Sequence, residues 1–380
     1  MAKKKQESSG VVEPQESIFE DTLRSLLAPV ATLLADPKVT EIMINGWEEV
    51  FYEVSGVIHK SECKFPSPDA LLAAARNISQ YVGKRISEID PILDARLPDG
   101  SRICVVIPPC AKNGTTIAIR KFSKEKLGLK DLINFGAMTG DMARFLDIAT
   151  ILKRNILVSG GTGSGKTTLL NVLGSRIPGN ERTLIIEDTA ELQIKSNHIV
   201  QFETKGEDAE GKGKVTIQDL VKASLRLRPD RIIVGEVRGS EALDLVQAMN
   251  TGHDGSMGTL HANNPVQAMN RLETLCMMAD TGVPAHVIRA QVADAIHLIV
   301  QANRLRDGSR KITAISEVVG ISDRDAYILQ DLFVFRQRGV DENGKIIGEH
   351  VACGNMPSFR DMIQSSGVPY SMSVFHKKAA

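Results

Sequence analysis

Apolar residues recur at Phe19, Leu23, Leu26, Val30 and Leu33 between Glu16 and Ala35, a spacing that predicts a helix. The rhythm then changes to alternation. Glu41-Ile42-Met43-Ile44-Asn45-Gly46 and Val50 to Ile58 predict strands joined by glycine-containing turns. Ser67-Pro68 reads as the N-cap and first residue of a helix. Its apolar face is Leu71, Ala75, Ile78 and Val82, and Gly83 ends it. Strands are predicted over Leu93–Leu97 and Arg102–Ile107, joined by Pro98-Asp99-Gly100-Ser101, with a last one over Thr115–Phe122. Residues 16–125 thus predict a small α+β domain of a helix plus a PAS-like sheet, and residues 1–15 a disordered polar tail.

Residues 126–135 are expected to be a linker, within a Lys-rich stretch around Gly128. From 136 to 380 strand and helix alternate. Apolar strands are predicted at 155–159, 183–187, 231–235 and 296–300, and helices between them. Thr216 with Asp219 forms a capping pair, and Pro265 and Pro284 stand near two further helix starts. The fold class is therefore α/β, with a mostly parallel sheet covered on both faces. Lys205–Lys214 reads as a mobile loop. Two more strands are expected over Ile312–Ile321 and Ile328–Phe335, followed by an irregular C-terminal extension.

A chain of 380 residues has room for two domains with ample cores. Lys plus Arg and Asp plus Glu number 46 each, so the formal charge is zero, which argues against a nucleic-acid partner. No uncharged apolar run approaches the ~18 residues that span a bilayer. The lysines after Met1 lack an apolar region behind them, which predicts a solvated tail rather than a signal peptide. Cys63, Cys104, Cys110, Cys276 and Cys353 are scattered and form no C-x-x-C pair, so a reduced cytosol is expected.

Gly160-Gly161-Thr162-Gly163-Ser164-Gly165-Lys166-Thr167-Thr168 is a complete phosphate-binding loop between an apolar run and a helical one. Its glycines let backbone N–H groups face phosphate oxygens, and the new helix adds its positive end. Residues Gly161 to Thr168 are the expected nucleotide contacts. Lys166 reaches the β- and γ-phosphates, and the Thr167 hydroxyl holds Mg²⁺.

Hydrolysis also needs an oriented water and positive charge at the γ-phosphate. Glu236 ends the strand Arg231-Ile232-Ile233-Val234-Gly235, where a carboxylate would orient Mg²⁺ or its water. Glu187 ends Leu184-Ile185-Ile186 and is a candidate general base, or else an ordinary acidic strand exit beside Asp188 and Glu191. His261 stands at another strand exit, as a γ-phosphate donor or a structural histidine. Arg102, Arg120, Arg226 and Arg228 are candidate arginine fingers, and composition does not choose among them.

The loop at 160–168, Ile186-Glu187-Asp188 with Glu191, Val234-Gly235-Glu236-Val237-Arg238-Gly239 and Gly258-Thr259-Leu260-His261-Ala262-Asn263 occur in that order. Together they resemble the secretion ATPases of type II and type IV secretion, conjugation and type IV pili. Leu97-Pro98-Asp99-Gly100-Ser101-Arg102, Ile119-Arg120-Lys121-Phe122 and Leu225-Arg226-Leu227-Arg228-Pro229-Asp230 resemble the VirB11-like branch. Leu329-Gln330-Asp331-Leu332-Phe333-Val334-Phe335 with Gly348-Glu349-His350 resembles the CpaF/TadA ATPases of tight-adherence (Tad/Flp) pili.

The resemblance implies a RecA-like P-loop domain and a homohexamer at the cytoplasmic face of the inner membrane. Nucleotide would bind between the two domains. It implies an ATP hydrolase using Mg²⁺ that drives assembly, or also retraction, of Tad/Flp pili, with TadB/TadC-like platform proteins as partners. The alternative is a VirB11-type ATPase powering secretion or conjugation. By the same resemblance Glu187 is the catalytic base, Glu236 the magnesium-orienting residue and His261 the γ-phosphate sensor. Arg102 and Arg120 become fingers from the N-terminal domain, and Arg226 and Arg228 candidates at a subunit boundary. A zinc-holding C-x-x-C pair, common in type II secretion ATPases, is missing, which weakens the type II reading. A nucleic-acid translocase, a small-molecule kinase and a non-hydrolysing nucleotide switch fit the residues less well.

Overall fold

In a computed structural model the described residues are 25–376, apart from positions 55, 98, 123–126 and 208–211. They form two units, Met1–Glu125 and Lys126–Ala380. The predicted tail at 1–15 and the start of the first predicted helix lie outside the described residues.

After a 3₁₀ turn at Ala28–Val30 comes a short helix, α1 (Ala31–Ala35). The first unit then lays down β1 (Val39–Asn45), β2 (Val50–Val54) and β3 (Val57–Ser61). Helix α2 (Pro68–Tyr81) follows, and then β4 (Ile92–Arg96), β5 (Arg102–Val106) and β6 (Thr116–Arg120). Helix α2 starts where its cap predicts: Ser67 Oγ accepts from the Ala70 N–H, and Pro68 occupies the first turn, whose N–H would be orphaned anyway. The strands make one antiparallel sheet in the order β3-β2-β1-β6-β5-β4. Ile42, Ile44, Ile103, Val105, Ile117 and Ile119 alternate onto one buried face, against which Leu71, Ala75 and Ile78 of α2 pack.

The second unit opens with α3 (Leu129–Asn134), inside the segment expected to be a linker. The Asp131 carboxylate accepts from the Gly128 N–H, and Leu132 joins the core of the unit. A linker needs neither a cap nor a buried anchor, so the expected boundary at 135 is too late. Helix α4 (Gly140–Ile151) leads to β7 (Ile156–Gly160), α5 (Lys166–Gly174), β8 (Thr183–Glu187) and β9 (Ile199–Glu203). Next come α6 (Ile217–Ser224), β10 (Arg231–Val234), α7 (Glu241–Asn250), β11 (Met257–Leu260), α8 (Pro265–Met277) and α9 (Ala285–Ala295). The chain finishes with β12 (Leu298–Arg304), β13 (Arg310–Ile321), β14 (Tyr327–Val340), β15 (Ile346–Ala352) and α10 (Arg360–Ser365).

These nine strands make one sheet, β15-β14-β13-β12-β7-β11-β10-β8-β9. The pairs from β12 to β9 are parallel, and β12 to β15 pair antiparallel. Ile156 and Val158 point to the core under α4 and α5, while Leu157 points to the core under α7, α8 and α9. Both faces are thus covered, which is why these strands read as continuous apolar runs.

The strand β9 and the C-terminal β15 escape the sequence pattern. Both are edge strands with half-exposed residues, so neither carries a continuous apolar run. Around the expected mobile loop, Lys205 and Val215 pair through two backbone hydrogen bonds of 3.0 and 2.8 Å. Positions 208–211 within it lie outside the described residues.

Candidate active site

Strand β7 delivers the chain to the phosphate loop at Gly160. A Cβ there would stand 2.1 Å from the Ala302 carbonyl oxygen of β12, so only glycine fits. Gly163 and Gly165 take φ of 67° and 93°, the left-handed region that a side chain disfavours. Gly165 is the N-cap of α5, so Lys166 and Thr167 open that helix. Ser164 Oγ is buried and has no hydrogen-bond partner among the described residues, a spare donor inside the loop. These features fit a polyphosphate: left-handed glycines, a helix start and a spare hydroxyl.

Three strand ends converge beside the loop. In the sheet order β11 adjoins β7, then come β10 and β8. Lys166 Nζ donates to the Gly161 carbonyl at 2.9 Å and lies 3.4 Å from His261 Nε2. The same ring nitrogen is 2.9 Å from Glu236 Oε1, and Glu236 Oε2 accepts from Arg238 Nη2 at 2.5 Å. Lys166, His261, Glu236 and Arg238 therefore form one contact chain along the carboxyl edge of the sheet.

Burial alone would push the Glu236 carboxyl up. The Arg238 hydrogen bond and the charges of Arg238, His261 and Lys166 outweigh it, and hold the group below the usual carboxylate range. Burial and the Lys166 charge lower the His261 imidazole against the pull of Glu236, so the ring favours its neutral form.

Glu187 ends β8, the third strand from β7, roughly 14 Å across the sheet at the usual strand spacing. It is buried, and its Oε1 accepts from the Glu191 and Leu192 N–H groups at 2.9 and 3.0 Å. A Cβ on Gly235 would stand 2.8 Å from Glu187 Cγ, so that glycine makes room for this carboxylate next to Glu236.

The four candidate arginines separate. Arg102 and Arg120 face each other across β5 and β6 in the first unit. Arg102 forms a two-pronged ion pair with Asp94. Arg226 and Arg228 are exposed beyond α6, before β10 begins, and Arg228 takes φ of 54°. They lie at the opposite edge of the sheet from Glu236, so within one chain they do not join the loop.

Sequence reasoning gave Arg238 no role, although it stands two residues after Glu236 and its guanidinium reaches that carboxylate. It also lies 3.8 Å from Asp188.

Among the described residues no three His, Cys, Asp or Glu side chains gather as a metal cluster. Mg²⁺ on a nucleotide does not require one. The Thr167 hydroxyl and Glu236 carboxylate are hard oxygen donors of the kind it takes, alongside phosphates and water. No helix among the described residues is long and apolar enough to cross a membrane.

The family model described as "Type II/IV secretion system protein" matches residues 24–345. The chain belongs to that family. It is 33% identical over 290 residues to a Mycobacterium tuberculosis protein named for conjugal transfer, covering 75% of this chain and 82% of that one. It is 32% identical over 326 residues to the type IV secretion system protein VirB11 of Bartonella quintana, covering 76% of this chain and 91% of that protein. The fold is that of the pilus retraction motor PilT, at 18% identity and a TM-score of 0.53 over 90% of this chain and 86% of that one. The Legionella pneumophila ATPase DotB aligns with a TM-score of 0.51 at 19% identity, over 86% of this chain and 82% of that one. This secretion-ATPase family placement agrees with the four ordered motifs, and the mixed α/β architecture with the expected fold class.

Proposed function

We propose that this member of the secretion-ATPase family hydrolyses ATP and works as a hexameric motor at the cytoplasmic face of a bacterial inner membrane. The contact chain Lys166–His261–Glu236 carries this reading, because it links the phosphate-loop cation to two groups from neighbouring strands. Lys166 exchanges the Gly161 carbonyl and the His261 ring for the β- and γ-phosphates. Thr167 and Glu236 hold Mg²⁺, which when bound neutralises phosphate charge. Glu187 takes a proton from the attacking water as its oxygen bonds to the γ-phosphorus and the bond to the ADP oxygen breaks. His261 stays neutral and donates to the γ-phosphate. Arg102, Arg120, Arg226 and Arg228 are proposed as the arginines that answer transition-state charge.

The machine we propose is a Tad/Flp pilus, driven through TadB/TadC-like platform proteins. The motif from 329 to 350 supports this. It has a packing logic as well: Gly348 leaves room for the Phe335 ring, which lies 5.0 Å from the His350 ring. A second reading, a VirB11-type motor for conjugation or secretion, is favoured by the names of the relatives at 32–33% identity. Pilus counts by electron microscopy in the native host carrying Lys166→Ala separate them. Bald cells with intact DNA transfer and export support the pilus motor. Normal pili with lost transfer or export assign the second machine.

A further inference from the structure

The turn between β12 and β13 brings a second pair of cations to the phosphate loop. Arg304 and Arg310 sit directly opposite each other as the last and first residues of the two strands. Like charges in that relation destabilise an antiparallel pair, so packing alone does not account for them. Both reach the loop. Arg310 Nε donates to the Gly163 carbonyl at 2.9 Å. A Cβ built on Gly165 would touch Arg310 Cδ at 3.5 Å, and one on Gly163 would lie 3.7 Å from Arg304 Nη1.

The hairpin that carries them is held firmly. Leu305 N–H donates to the Ser309 carbonyl at 2.8 Å, and Gly308 N–H to the Leu305 carbonyl at 3.0 Å. Asp307 accepts from Ser309 Oγ at 2.7 Å and from the Ile346 N–H of β15 at 2.8 Å, which pull its carboxyl down to about 2. The Arg310 head is exposed, and among the described residues its two terminal nitrogens have no hydrogen-bond or ion-pair partner in the protein.

The side of the loop is informative. Strand β12 flanks β7 opposite to β11, which leads to His261. The His261 and Glu236 side is where the γ-phosphate is handled under the proposed function, on which this inference rests. The Arg310 side therefore faces the part of the nucleotide that ATP and ADP share.

We propose that Arg310 is a nucleotide-positioning residue supplied by the same chain, with Arg304 as a second positive charge. It fixes the Gly163 peptide so that the loop amides meet the diphosphate, and it adds charge there. It is distinct from an arginine finger, which acts on the transition state and shows in kcat.

The test uses full-length wild type, Arg310→Ala, Arg310→Lys and Lys166→Ala, titrated with a fluorescent ADP analogue and assayed for ATP hydrolysis. Thermal unfolding of the nucleotide-free proteins checks that each is folded. Arg310→Ala should raise both the Kd for the ADP analogue and the KM for ATP about 10-fold, the worth of a charge-assisted hydrogen bond, with kcat within about threefold. Arg310→Lys, which keeps the charge and loses the fork, should fall between. Unchanged Kd and KM in Arg310→Ala, with binding lost in Lys166→Ala, would overturn the inference and leave the proposed function standing. A fall in kcat at unchanged KM would also overturn it. Folded wild type that binds no nucleotide would bring down the proposed function itself.

Discussion

Lys166 Nζ lies 3.4 Å from His261 Nε2 although 95 residues separate the two in sequence. The contact arises because β7 and β11 pair in parallel, with Leu260 opposite Ser159, so both chains leave the sheet at the same edge. Replacing His261 by Ala should lower kcat for ATP hydrolysis about 100-fold, the scale of losing one preorganised donor, while nucleotide affinity changes little. Phosphate release and ADP titration on the same samples check both parts. A variant as fast as wild type would make His261 structural.

One substitution separates the anchoring by Glu187 from the proton transfer proposed for it. Its Oε1 anchors the Glu191 and Leu192 amides, which glutamine also does, but glutamine cannot take a proton. Glu187→Gln should keep the melting temperature and lose about 100-fold or more in kcat. Gly235→Ala should lower both stability and kcat. Its Cβ, 2.8 Å from Glu187 Cγ, forces a buried side chain off its anchors and costs about 1–3 kcal/mol in urea unfolding.

How much of this was legible in the sequence depends on burial. The strands that carry the site, β7, β8 and β10, are covered on both faces, so their apolar runs gave their positions directly. The loop glycines and the cap residues Ser67 and Thr216 announced themselves because each satisfies a fixed backbone need. Arg310 was invisible, since it lies 147 residues from Gly163 and only the β12–β7 pairing brings them together. Helix α3 was hidden by its Lys-rich surroundings, because a short helix anchored by Leu132 leaves little periodicity.

A buried ion pair holds the opposite end of β10. Arg231 is fully buried, its Nε donating to Glu181 Oε2 at 2.5 Å and its Nη1 to the Thr150 carbonyl at 2.6 Å. Glu181→Ala leaves that charge without its carboxylate and should cost about 3–5 kcal/mol in urea unfolding. Wild-type stability in that variant would show that water reaches the guanidinium.

His297 sets a pH dependence. Its Nδ1 accepts from the Asn155 N–H at 2.8 Å, and burial, helped by the Arg154 charge, pushes the imidazole down to about 4 from 6.5. Above pH 6.5 both folded and unfolded chains hold it neutral. As the pH falls from there to 4, the unfolded chain takes a proton that the folded one refuses. Stability should therefore decline over that window, by about 3 kcal/mol from this group. In His297→Gln, whose side-chain oxygen also accepts the N–H, that part of the decline should vanish. Parallel acid slopes of urea-unfolding free energy for the two proteins would contradict it.

The most direct measurement compares Mg²⁺-dependent phosphate release from ATP by purified full-length wild type and Lys166→Ala, with circular dichroism to confirm both are folded. Release by wild type that is abolished in Lys166→Ala is the predicted result. Equal release by the two proteins, or none from folded wild type at any assembly state, would contradict an ATP hydrolase centred on this loop.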